Sequence, residues 1–166
     1  ADTFVEMDAD TQEHLIQRFS DKELHDVLDE MYLDDTVDII EEMPANVVKR
    51  ILRQSDPQTR SEINKILNYP KDSAGSIMTI EYVDLKAHMT VAEAFDRIRK
   101  TGVDKETVYT CYVTDQNRHL LGIATVKDLL LCDNCAKIGD MMETNVIYVD
   151  TFDDKEEVAN LFNKYD

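Results

Sequence analysis

The sequence predicts an α + α/β protein: an acidic, superhelical α-helical repeat domain followed by an α/β unit that starts over before the chain ends. Three observations carry that prediction. Apolar residues recur every 12 positions through residues 7–70. A second periodicity, with an offset of 64, aligns Ser73-Ala74-Gly75-Ser76-Ile77-Met78 with Lys137-Ile138-Gly139-Asp140-Met141-Met142. The stretch Asp72–Thr79 lies between the two patterns and opens the second. The expected organisation is a helical domain over residues 1–70, one complete α/β unit over 71–135 and the start of another over 136–166.

In the helical half, one series is Leu15, Val27, Ile39, Ile51 and Ile63, and its neighbour is Ile16, Leu28, Ile40 and Leu52. Met7, Phe19, Met31 and Met43 form a third. Such registry means one supersecondary unit used several times, each too short to bury its apolar face alone. Within a unit the spacing is helical, as in Leu24, Val27, Leu28 and Met31. Ser20 with Glu23 is a capping box. Asp56-Pro57 places a cap before a first-turn proline, and Pro44 fits another start. The expectation is four or five helices of roughly 8–12 residues.

The repeated half begins with β-type residues around Val83 and Leu85, followed by the capping pair Thr90 and Glu93. A helix continues through Ala94, Phe95 and Ile98. The run Val108–Val113 reads as a strand, Asp115–Arg118 as a turn and Leu120–Ala124 as a second strand leading into a helix, Val126–Leu131. At the offset of 64, Ile147 and Val149 match Val83 and Leu85, while Asp154 and Glu157 match Thr90 and Glu93. A second strand and capped helix are therefore expected. The matching hairpin and last helix do not occur before residue 166, so the second unit reads as truncated, with an apolar face left poorly covered.

Charge narrows the functions available. The formal net charge is −17, from 35 acids against 18 bases. Residues 1–46 hold fifteen acids against Arg18 and Lys22, whereas residues 47–70 are net positive. This balance repels nucleic-acid phosphates and anionic lipid, and attracts cations or basic partners. Eight acids fall between Asp26 and Glu42. Asp34 and Asp38 share a helix face, as do Asp38 and Glu42, and like charges at that spacing repel. Two readings follow: a solvated face, or a surface that needs divalent cations to approach another acidic one. Hard cations such as Mg²⁺ accept scattered carboxylates at an interface.

Other chemistry is poorly supplied. The histidines, His14, His25, His88 and His119, are scattered. No phosphate-cradling G-x-x-x-x-G-K-[ST] or G-x-G-x-x-G motif occurs, and the chain has four glycines. Cys132 and Cys135 have C-x-x-C spacing without a second pair, which leaves a zinc site short of ligands. No apolar run approaches the roughly 18–20 residues of a membrane span. An enzyme is not expected.

The repeated unit, closed by Gly122-Ile123-Ala124-Thr125-Val126-Lys127-Asp128-Leu129, resembles a CBS domain. With Asp72–Thr79, Val83, Met89-Thr90-Val91 and Glu106-Thr107-Val108-Tyr109, the chain as a whole resembles the cytosolic region of MgtE-type magnesium transporters. That resemblance implies a helical N domain followed by a CBS pair, the second unit incomplete. It also implies a homodimer formed through CBS units, on the cytoplasmic side of a membrane and preceding a transmembrane pore of the same polypeptide. In that family, Mg²⁺ neutralises acidic faces between the helical and CBS domains and favours the closed pore. Asp34 and Asp38 match acids of that bridge on the helical side, and Asp154 and Glu156 match acids at the start of the second CBS helix. CBS units often bind adenine nucleotides; Thr125 and Asp128 match the ribose and phosphate positions, Lys127 is placed to meet phosphate, and Thr110 stands where an aromatic often lies near the base. The alternative is an adapter: a CBS platform that dimerises or senses ATP, joined to an acidic helical domain that binds a basic protein.

Overall fold

The computed structural model describes residues 2–165. The chain divides into two units: residues up to Ile80 together with those from Val149 onward, and residues Glu81–Tyr148.

The 12-residue period becomes a helix with its linker. After a one-turn helix α1 (Asp2–Val5) come α2 (Ala9–Arg18), α3 (Asp21–Asp29), α4 (Leu33–Glu42), α5 (Ala45–Gln54) and α6 (Pro57–Ile66). The last five begin at 9, 21, 33, 45 and 57, each one period after its predecessor. Their N-caps fall in the same register. Asp8 accepts from the Thr11 amide, and Ser20 and Glu23 form the expected capping box. Asp56 accepts from the Gln58 and Thr59 amides ahead of Pro57. Tyr32 and Pro44 cap α4 and α5 without a side-chain bond.

Helices two or three steps apart meet: α3 packs on α5, α4 on α6, and α2 on both α4 and α5. Ile16, Leu24, Val37, Ile51 and Ile63 are fully buried in the resulting core. Arg50, from the basic stretch, closes the end of α2 by donating its guanidinium to the carbonyls of Ile16 and Phe19, and it pairs with Asp21 at 3.2 Å. Such bonds satisfy carbonyls that a helix end leaves without partners.

The second unit follows the strand, helix, strand, strand, helix order read from sequence: β1 (Asp84–Lys86), α7 (Val91–Thr101), β2 (Thr110–Thr114), β3 (Leu120–Thr125) and α8 (Val126–Leu131), then a one-turn α9 (Ile138–Met141). The sheet is mixed, in the order β1-β2-β3, with β1 parallel and β3 antiparallel to β2. Val83, Leu85, Cys111, Val113 and Leu129 are buried between sheet and helices. Arg97 on α7 reaches the Asp84 carboxylate and tethers helix to sheet. Burial alone would raise the Asp84 carboxyl, but Arg97 and Lys86 outweigh it and hold it below the usual range.

The 64-residue repeat reappears as a backbone hydrogen-bond pattern in each unit. In the first, the Ala74 amide donates to Asp153 O and Gly75 to Thr151 O, both at 2.8 Å, while Lys155 donates to Asp72 O at 2.9 Å. In the second, Ile138 donates to Met89 O and Gly139 to Ala87 O, both at 2.9 Å, and Val91 to Ala136 O at 3.0 Å. Adding 64 to the first-copy residue of a pair and subtracting 64 from the second-copy residue gives the other pair, with the two copies exchanged. The isolated bridges Ser73–Asp154 and Thr90–Lys137 obey the same rule. Each opening segment thus pairs with the helix entrance of the other copy.

One expectation is corrected. The strand expected around Ile147 and Val149 does not form: this stretch has no regular secondary structure, and Ile147 is 53% exposed where its counterpart Val83 is buried. β1 exists because β2 lies beside it, and residues 1–166 contain no second copy of β2. The capped helix does form, as α10 (Lys155–Tyr165), with Val158 buried and Phe162 exposed.

Gly75 is the tightest point of the joint. A Cβ there would lie 2.6 Å from the Tyr69 ring and 2.9 Å from Thr151 O, whereas at Gly139 the nearest atom, Ala87 O, is 3.1 Å away. Gly75→Ala is therefore expected to destabilise by roughly 1–3 kcal/mol, and Gly139→Ala by less. Urea unfolding of the two variants checks the order, and an equal loss contradicts it.

Candidate functional site

Two regions collect the residues singled out by sequence: the acidic face of α4 with the start of α10, and a cleft beside α8.

On α4, Asp34, Asp38 and Glu41 occupy one face by helical spacing. Val37, Ile39 and Ile40 turn into the core, so the helix is amphipathic and its carboxylates stand along the outer edge. Asp34 Oδ1 is buried without a hydrogen-bond partner. Lost hydration, then the charges of Asp34, Glu41 and Glu42, push the Asp38 carboxyl above the usual carboxylate range. Glu41 lies 3.7 Å from the Lys71 ammonium.

At the start of α10, Asp154 is the N-cap: its Oδ1 accepts from the Glu156 amide at 2.8 Å and the Glu157 amide at 3.4 Å. Glu156 is exposed in the first turn, where the helix dipole favours a carboxylate. Lys155 between them bonds Asp72 at 2.9 Å. The structure therefore brings the two acidic segments into one unit, linked through Glu41, Lys71, Asp72 and Lys155. Asp34 and Asp38 are not gathered with Asp154 and Glu156 into a cage, because no group of three or more histidine, cysteine or acidic side chains is placed to hold a metal among the described residues. The donors are all carboxylate oxygens, with an unsatisfied buried atom among them. That set fits a hard divalent cation keeping part of its water shell better than it fits zinc.

The cleft encloses about 530 Å³ and is lined by Tyr109, Thr110, Thr125, Val126, Lys127, Leu130 and Leu131. Its size lies within the range of small-molecule sites. Thr125 and Lys127 are on its wall. Asp128 is not, although it is adjacent: Thr125 Oγ1 donates to the Asp128 carboxylate and accepts the Asp128 amide at 3.1 Å, so the pair caps α8. The aromatic side chain comes from Tyr109, 79% exposed, rather than from position 110. Tyr112 packs edge-on against Tyr82 instead. Leu130 and Leu131 were not foreseen as lining residues. The signal was present in the run Leu129-Leu130-Leu131, since a helix on one sheet face buries only one of three consecutive residues. Burial pushes the Cys111 thiol up to about 11, which removes it from thiolate chemistry at neutral pH.

Comparison with known proteins finds matches for both halves of the chain. Residues 1–72 match the MgtE intracellular N domain, and residues 74–133 match the CBS domain. The cytosolic domain of the Mg²⁺ channel MgtE, solved in complex with ATP, is 32% identical with a TM-score of 0.92, over 99% of this chain and 67% of that one. The chain belongs to the MgtE family. The soluble part of a magnesium transporter is similarly close, at 31% identity and a TM-score of 0.90, over 99% of this chain and 65% of that one. Magnesium transporter MgtE of Thermus thermophilus is 38% identical over 138 residues, which make up 81% of this chain and 30% of the relative. The MgtE of Bacillus subtilis is 31% identical over 139 residues, 84% of this chain and 31% of that protein. The chain thus spans about a third of the length of the curated MgtE relatives it matches. No helix among the described residues is long and apolar enough to cross a membrane.

The raised carboxyl of Asp38 has a stability consequence for this MgtE region. The folded state holds its proton more tightly than the unfolded state, so the group's contribution improves as pH falls into the carboxylate range and is a net loss at neutral pH. Asp38→Asn is expected to raise the melting temperature by roughly 1–3 °C at pH 7 in chelator, with the gain shrinking toward pH 4. Calorimetric melts across that range check both the sign and the trend.

Proposed function

We propose that this chain is the Mg²⁺-sensing regulatory region of a magnesium transporter, on the cytoplasmic side of the membrane, rather than an enzyme. Its working form is a homodimer paired through CBS units, with residues 71–135 as one unit and 136–166 as the start of the next. The observation that carries the reading is the α4 face. Lost hydration, and then the neighbouring charges of Asp34, Glu41 and Glu42, raise the Asp38 carboxyl, and this face lies in the same unit as the acids that open α10.

The physical argument is one of charge. Asp34 and Asp38 on α4, and Asp154 and Glu156 at α10, keep an acidic surface at neutral pH that resists compaction. Divalent cations relieve the resistance by associating more strongly with the compact arrangement than with the open one, and only such a difference shifts an equilibrium. Mg²⁺ suits the role because it binds through a few carboxylates while retaining waters, so a preformed cage is unnecessary. The compact state favours a closed pore, supplied by a membrane portion of the same polypeptide.

The cleft supports a second ligand. Its volume, the exposed ring of Tyr109, the hydroxyl of Thr125 and the ammonium of Lys127 suit an adenine nucleotide, with the ring against the base and the lysine toward phosphate. The MgtE cytosolic domain solved with ATP supports this assignment.

The ionic reading is tested by limited proteolysis in MgCl₂ and in NaCl at matched ionic strength. Protection in MgCl₂ alone, blunted in a variant carrying both Asp34→Asn and Asp38→Asn, is the expected result. Equal protection by both salts indicates screening and favours the adapter reading. For the nucleotide, Tyr109→Ala and Lys127→Ala are each expected to weaken ATP binding by about tenfold in titration calorimetry, equivalent to about 1.4 kcal/mol, while leaving the Mg²⁺ response unchanged.

A further inference from the structure

Lys155 occupies an unusual position for a base in so acidic a chain. It sits in the first helical turn of α10, where the dipole disfavours positive charge, flanked by Asp154 and Glu156. Its ammonium bonds the Asp72 carboxylate at 2.9 Å and also donates to the Lys71 carbonyl at 3.4 Å. The Lys71 ammonium in turn lies 3.7 Å from Glu41 on α4. Lys155 and Lys71 are 84 residues apart, yet with Asp72 and Glu41 they form one chain of alternating charge from the start of α10 to the end of α4.

We propose that Lys155 is a tethered cation that holds the entrance of α10 to the Lys71–Asp72 segment when divalent ions are scarce, and so sets the ionic threshold of the acidic face. The inference rests on the Mg²⁺ reading above and adds a regulator to it. An ammonium on a four-carbon stem neutralises nearby carboxylates without leaving when the ion concentration drops. Hydrogen bonding to Asp72, then the charges of Asp72, Glu41 and Asp154, raise the Lys155 ammonium above its ordinary range, so it stays charged through neutral pH. The same positive charge repels an incoming divalent ion. Lys155 thereby preserves part of the compact arrangement at low Mg²⁺ and raises the Mg²⁺ concentration needed to complete it.

The backbone bonds beneath the lysine give the readout. The amides of Ala74, Gly75 and Lys155 bond Asp153 O, Thr151 O and Asp72 O. Hydrogen exchange at these amides is compared for the wild-type chain, Lys155→Gln and Lys155→Arg, in chelator and in MgCl₂, against NaCl of matched ionic strength. In chelator, Lys155→Gln is expected to exchange about three- to tenfold faster at these positions, Lys155→Arg to stay near wild type, and MgCl₂ to restore protection to the Gln variant at a two- to fivefold lower concentration than the wild type needs. Unchanged exchange in the Gln variant overturns the tether, whatever the wild-type chain does with Mg²⁺. Faster exchange that MgCl₂ and NaCl restore equally, in all three proteins, overturns the Mg²⁺ reading and the threshold role with it. Faster exchange with a Mg²⁺ midpoint that does not move leaves the Mg²⁺ reading standing and overturns the threshold role alone.

Discussion

Backbone pairing between Asp72–Gly75 and Thr151–Lys155 is the constraint on which the acidic end of the helical unit depends. Without it, α10 has no fixed place in that unit and Asp154 and Glu156 have no relation to α4. Individually these bonds are worth only about 0.5–1.5 kcal/mol. They matter because they close a long loop, whose entropy is met once and shared by every contact that follows. The Tyr69 ring meets Phe152 in a tilted arrangement, centroids 5.5 Å apart, beside Gly75, so an apolar contact reinforces the joint at its tightest point.

The pairing gives the molecule its logic of charge. The helical repeat buries one face of each helix and leaves the other free for function. In α4 that free face is almost wholly acidic, a cost in stability that a purely structural helix would avoid. Of the positive residues of the following segment, Arg50 is committed to the end of α2, and Arg60 donates to the Ser55 carbonyl. At the end of α4, Lys71 lies 3.7 Å from Glu41.

In the second unit a different economy holds. Three strands and two helices bury a compact apolar cluster, and the Arg97–Asp84 pair secures helix to sheet. The short α8 is left with Leu130 and Leu131 outward beside Tyr109, so the unit presents an apolar wall with a hydroxyl and an ammonium at its rim. Such a surface asks for a ligand with a flat apolar part and an anionic part. The acidic face of α4 asks for cations. Under the proposed function, two ligand chemistries are segregated onto two architectures, which suits a region that integrates signals.

The sequence alone determined what nearest neighbours decide. Helix starts at every twelfth residue, the caps at Ser20, Asp56, Thr90 and Asp154, and the strand–helix order of the α/β unit all follow from side chains within a few positions of one another. The 64-residue repeat was legible too, because identical local needs were written twice. The tertiary structure decided what required distant partners. It showed that each copy's opening segment pairs with the other's helix entrance, that Ile147 and Val149 form no strand without a neighbouring β2, and that Tyr109 rather than residue 110 presents its ring to the cleft. It also placed Lys155 beside Asp72 rather than among its own helix's acids. Local propensity is settled by a few dihedrals and adjacent side chains, whereas a ladder or a charge chain exists only once a long loop has closed and brought its far end within bonding distance.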